Sequence, residues 1–208
     1  MESNWAAAHL QVIRTLMERS AIYRRALAPI TLLLGVLGVV AAAIAWFAEI
    51  GTDQSFAAFW LTVSVAAISG AYIMARRQAL RDHEVFWSPP TRRVTQALLP
   101  PLLAAAVSST LLVFSAPVDW HVTWWLPPLW MILYGCAVHA AGFFMPRGMK
   151  LFGWVFIAFG CLMAATLVFI PDVPPLRFAH VLMGVFFGGL HLVYGFYLSF
   201  TEQRKNEM

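Results

Sequence analysis

Residues 27–47 read LAPITLLLGVLGVVAAAIAWF, 21 positions without a charged side chain, with Arg24 and Arg25 just ahead of them. A helix rises about 1.5 Å per residue, so about 20 such residues cross a hydrocarbon core about 30 Å thick. Five further stretches have the same character: 56–75, 94–114, 122–145, 151–170 and 178–200. None contains Asp, Glu, Lys or Arg. In a bilayer every backbone N–H and C=O must find its partner within the chain, and a helix provides this inside one segment. Transmembrane strands would alternate polar and apolar residues over about ten positions, and these stretches do not.

Composition agrees. Of the 208 residues, 61% are hydrophobic and 12% charged, against about 25% charged in a soluble domain. No soluble core absorbs that much apolar surface. Ala43-Ile44-Ala45 has the small-x-small form of a signal cleavage site. The charged region ahead of it is too long, and the apolar run exceeds the usual 7–15 residues. The first helix is therefore expected to stay uncleaved.

Orientation follows from the basic residues. Arg14, Arg19, Arg24 and Arg25 precede the first stretch. Arg76, Arg77, Arg81, Arg92 and Arg93 fill the second gap, Arg147 and Lys150 the fourth, and Arg204 and Lys205 the tail. The other three gaps hold only Arg177. Basic residues are retained on the cytoplasmic side during insertion. The sequence thus predicts an all-α integral protein of the inner (plasma) membrane, with six transmembrane helices and both termini cytoplasmic. Residues 1–26 form a cytoplasmic amphipathic segment, 27–200 the bundle and 201–208 a tail. The same bias accounts for the net charge of +4 without nucleic acid as a partner.

Within 1–26, Trp5, Val12, Ile13, Leu16, Met17 and Tyr23 fall mostly on one side, and Gln11, Arg14, Glu18 and Arg25 mostly on another. Such a helix lies at the headgroup level, its basic residues toward anionic lipid. Besides the bilayer, a cytoplasmic protein partner could dock on 1–26 or on the 76–93 connection. The second helix is expected to continue through Glu84, with Thr91 capping the third. Pro100-Pro101 would kink that third helix unless it begins later. Trp120, Trp124, Trp125 and Trp130 read as an aromatic belt at the membrane surface.

Polar groups at membrane depth are the candidates for function, and here they are histidines. His139 and His191 lie about 10 and 14 Å from the cytoplasmic ends of the fourth and sixth stretches. Gly135 and Gly142 share the face of His139, and Gly184 and Gly188 share that of His191. Three arrangements fit. Close helix packing uses Gly184-x-x-x-Gly188 as a small-x-x-x-small interface. Haem b would lie flat against both glycine faces with His139 and His191 as axial ligands, an arrangement similar to membrane b-type cytochromes over these two short stretches. A zinc or copper ion would take Cys136, His139, Cys161 and His191. His180, eleven residues before His191, would share its stripe near the outer surface. With Asp119, His121 and Asp172 it reads as a solvated loop cluster, to which Glu49 and Asp53 add negative field.

No phosphate-binding loop, nucleophile elbow or metalloprotease helix is present. Three function classes remain: a non-enzymatic binding, sensing or accessory protein; a haem-carrying redox protein; and a small transporter or channel, expected as a homo-oligomer. The lack of any intramembrane carboxylate or cation weighs against coupled transport and hydrolysis.

Overall fold

The computed structural model describes residues 26–115, 122–145, 148–169 and 174–206, with side chains through Thr201. The amphipathic helix expected before residue 26 lies outside the described residues. All described secondary structure is helical. In chain order it comprises α1 (Ala26–Phe47), α2 (Asp53–Arg81), α3 (Pro89–Ser115), α4 (Leu126–Ala141) and α5 (Gly148–Phe169). A last rod joins α6 (Arg177–Met183), a π turn (Gly184–Gly189) and α7 (Leu190–Asn206).

Among the described residues, five helices are long and apolar enough to cross a membrane: α1, α2, α3, α5 and the last rod from Arg177 to Thr201. The fourth stretch, expected to match them, is shorter. α4 has 16 residues, a rise of about 24 Å. The 3₁₀ turn Val122–Trp125 leads into it and adds about 8 Å. Pro127 and Pro128 set the start of α4, because first-turn N–H groups have no intrahelical acceptor and proline forfeits no helical bond there. Nine of its residues are buried, among them Leu126, Trp130, Met131, Ala137 and Ala141. In α3 only Val94 and Ser109 are buried. α4 is thus an interior helix and α3 a peripheral one.

Glycines bring the helices together. A Cβ on Gly153 would lie 2.6 Å from the backbone nitrogen of His139, and one on Gly135 would lie 2.7 Å from the Gly153 carbonyl. α5 therefore presses backbone to backbone on α4. The last rod meets α1 in the same way. A Cβ on Gly188 would stand 2.7 Å from the Val39 nitrogen, and one on Gly184 would stand 2.5 Å from the Ala42 Cβ. Without a hydrophobic force between helices in lipid, such contacts and van der Waals packing hold them.

Two hydrophobic clusters stack along the bundle. One joins Ala41, Phe56, Trp60, Trp124, Trp130 and Met183. The other joins Leu27, Met131, Val138, Phe152, Phe156 and Leu198. Trp124 and Trp130, expected in a surface belt, are core residues at 6% and 7% exposure, while Trp125 is exposed. The placement of α4 inside the bundle turns their rings inward.

Helix ends differ from expectation where hydrogen bonds decide. α2 stops at Arg81, short of Glu84. His83 adopts φ 52°, the Glu84 N–H bonds the Ala79 carbonyl and the His83 N–H bonds the Leu80 carbonyl. That is a Schellman closure, here with histidine in the left-handed position usually held by glycine. α3 begins at Pro89, ahead of Thr91, and runs through Pro100 and Pro101 to Ser115. The prolines deprive the Gln96 and Ala97 carbonyls of their helical donors but do not divide the helix.

Gly188→Leu is expected to cost about 1–3 kcal/mol by driving the last rod off α1. Gly189, whose Cβ would meet nothing within 4 Å, should accept Leu within about 0.5 kcal/mol. Thermal unfolding of both variants in detergent checks the contrast.

Candidate functional site

The polar groups inside the bundle form two histidine-centred networks. The first lies where the α1–α2 connection meets α6. His180 is fully buried. The Trp60 indole N–H donates to His180 Nδ1 at 3.0 Å, and Nε2 donates to the Ile50 carbonyl at 3.0 Å. An indole can only donate and a carbonyl only accept, so the proton sits on Nε2 and the ring is neutral. Phe56 packs at 4.8 Å from the imidazole, and the Trp60 ring lies beside it with centroids 6.2 Å apart. Beside them, Trp130 stacks on Phe56 and donates to Ser109 Oγ, which donates to the Ala105 carbonyl. Thr123 donates to Asp53, and the Trp124 indole to the Pro174 carbonyl at 3.1 Å. These bonds tie the connections of one end into a single cap. His180 and Asp53 are therefore structural members of that cap, not a solvated cluster. Asp119, His121 and Asp172 lie outside the described residues.

The second network is centred on His191, 3% exposed. Its Nδ1 donates to the Phe187 carbonyl at 2.5 Å, inside the π turn. With the proton on Nδ1, Nε2 is left as an acceptor and takes the Tyr134 hydroxyl at 2.6 Å. Phe152, Phe156 and Tyr134 wall the ring at 5.1, 5.4 and 5.4 Å. The two histidines are neutral in opposite tautomers, and each has both nitrogens engaged.

His139 stands elsewhere. Its Nδ1 faces the Lys150 carbonyl at 3.4 Å, and its ring packs edge-on against Trp154 and Phe143. It shares no partner with His191. On α4 the residue that reaches His191 is Tyr134, five positions earlier and so about 140° away around the helix. The glycine faces diverge too. Gly135 and Gly142 meet Gly153 and Lys150 of α5, whereas Gly184 and Gly188 meet α1. The His191 Nε2 lone pair is taken by the Tyr134 hydroxyl. Cys136 and Cys161 are free and exposed. Among the described residues no group of three or more His, Cys, Asp or Glu is placed to hold a metal ion. The four-ligand set is thus not brought together, and His139 and His191 are engaged by different neighbours.

The spacing of His180 and His191 also misleads when read as plain α-helix. Eleven residues put both on one stripe. The intervening π turn takes up an extra residue, which rotates α7 by about 100° relative to α6. His180 consequently faces Trp60 of α2, and His191 faces Tyr134 and Phe156 of α4 and α5. The signal for Tyr134 was its hydroxyl at a depth comparable to that of His191. Nothing in the sequence marked the π turn except its glycines.

Tyr134→Phe would leave His191 Nε2 buried without a donor, at a cost of about 1–3 kcal/mol. Combined with His191→Leu in a double-mutant cycle, the pair should show a coupling of about 0.5–3 kcal/mol by thermal unfolding. Additivity within error would mean that the two side chains do not interact. No protein-family model, curated protein or solved structure matches this chain, so its chemistry is read from its own residues.

Proposed function

We propose that this chain is a six-span inner-membrane protein with both termini cytoplasmic, and that it works by binding, sensing or assisting rather than by catalysis. One observation carries the reading. The hydrogen-bonding capacity of both buried histidines is used within the bundle, His180 between Trp60 and Ile50 and His191 between Tyr134 and Phe187. A catalytic or cofactor-holding histidine needs a nitrogen that faces a ligand. Phe56 against Trp130 and Phe152 against Phe156, buried in the two clusters, support an interior packed with rings.

Support for six spans comes from the 3₁₀ turn, which brings α4 to about the thickness of a hydrocarbon core. Support for the orientation comes from Arg76, Arg77, Arg81, Arg92 and Arg93, all exposed about the α2–α3 connection. Val85 and Trp87 between them are exposed as well, at 77% and 56%. Basic residues beside exposed apolar ones suit the headgroup region of an anionic leaflet or a cytoplasmic partner.

Absorption spectra of the detergent-purified protein, expressed with ample haem, test the central claim. Oxidised and dithionite-reduced samples are expected to show nothing beyond the tryptophan band. A Soret band that disappears in His139→Ala or His191→Ala would establish the redox alternative instead. Cysteine labelling in right-side-out and inverted vesicles tests the topology. Asp53→Cys should react from the outside and Arg92→Cys from the cytoplasm, and the reverse pattern would refute the orientation.

A further inference from the structure

Between α5 and the last rod runs an open apolar groove of about 610 Å³, within the range of small-ligand sites. Phe178, Leu182 and Phe186 line one side, Phe159 and Met163 the other, and Trp124 stands at its mouth. The groove does not run the length of the bundle. It begins at the end where Ile50, Asp53 and Pro174 are tied together, and it closes where Phe159 and Phe186 meet at 5.3 Å. Beyond that point Phe156 packs on Phe187 across the seam. From Phe178 to Phe186 is a rise of about 12 Å, most of one leaflet's share of a hydrocarbon core about 30 Å thick. A partner helix would need a face running the whole span. One leaflet's depth is the reach of a lipid chain.

The mouth carries a charge. Of the 14 Lys and Arg in the sequence, Arg177 alone falls in the connections of that end. It is exposed and lies one turn before Val181, itself a groove residue, on the same row of the helix. Its guanidinium lies 5.2 Å from the Trp46 ring and 5.4 Å from the Phe178 ring. Cation–π contact engages the flat face of a guanidinium. Its N–H donors lie in the plane, where they suit a phosphate. Among the described residues no carboxylate pairs with it. A cation fixed by aromatic rings above an apolar slot one leaflet deep complements an amphiphile with an anionic head.

We infer that the groove holds an acyl chain of one anionic phospholipid, with its phosphate on Arg177. The inference rests on the bilayer placement proposed above, and needs only that Arg177 stands at a membrane–water boundary. Chain burial supplies affinity that does not depend on the headgroup. Arg177 supplies the preference for a net negative one, since zwitterionic heads carry a compensating cation.

The test is native mass spectrometry of the detergent-purified full chain, equilibrated with equimolar phosphatidylglycerol and phosphatidylcholine. The wild type is expected to retain phosphatidylglycerol by about fivefold over phosphatidylcholine, the size of one arginine's attraction to an anionic lipid. Arg177→Gln, a surface change, should bring the ratio to parity. Arg93→Gln, at the opposite end, should leave it unchanged. Leu182→Trp, which fills the groove, should lower retention of both lipids. Parity in the wild type, or an unchanged preference in Arg177→Gln, overturns the inference. So does a lipid-free dimer that Leu182→Trp splits, which would assign the groove to a second copy. Recovery of the chain from cells without detergent would instead remove the bilayer placement itself, an outcome distinct from the others.

Discussion

At Gly135 and Gly153 the backbones of α4 and α5 come so near that a methyl group on either would stand 2.7 Å from the other's carbonyl. In lipid this nearness substitutes for the hydrophobic force that assembles a soluble core, because the tails outside are as apolar as the side chains inside. Gly38 and Gly188 do the same for α1 and the last rod. α4, with nine residues buried, lies in the interior. Tyr134 then reaches His191, Trp130 reaches Phe56, and His139 is turned onto Trp154. Any residue larger than glycine at these crossings would move helices rather than side chains.

Histidine suits the interior that results. A neutral imidazole is donor and acceptor at once, so it joins two helices without placing charge in hydrocarbon. His180 does so between α2 and the α1–α2 connection, using one tautomer, and His191 does so toward α4, using the other. The hydroxyls obey a related rule. Thr31, Ser108, Ser109 and Thr110 return their protons to carbonyls one turn back. Polar atoms at depth are thereby satisfied locally. Tyr194 is the exception, its hydroxyl buried without a partner among the described residues and packed against Gly148.

The two ends of the bundle differ in character. One is a cap built from Ile50, Asp53, Thr123, Trp124 and His180. The other carries exposed arginines about Val85 and Trp87. Among the described basic residues, Arg177 stands apart from those arginines, on the Trp46 and Phe178 rings beside the apolar groove.

Apolar length and the absence of charge in 27–47 and the matching stretches were enough to predict helices, five of them, among the described residues, long and apolar enough to cross a membrane, since both follow from local composition and backbone hydrogen bonding. The glycines of 184 and 188 announced a close interface, and the histidines announced themselves as buried polar groups. The partners were not legible. The expectation that His139 and His191 share a site assumed that their glycine faces look at each other. Those faces look at α5 and at α1. The stripe joining His180 to His191 assumed an unbroken α-helix, and the π turn rotates one away from the other. Sequence spacing determines which residues share a face of one helix. Which neighbour that face meets depends on how all six elements fill the cross-section together, and only the tertiary structure decides it.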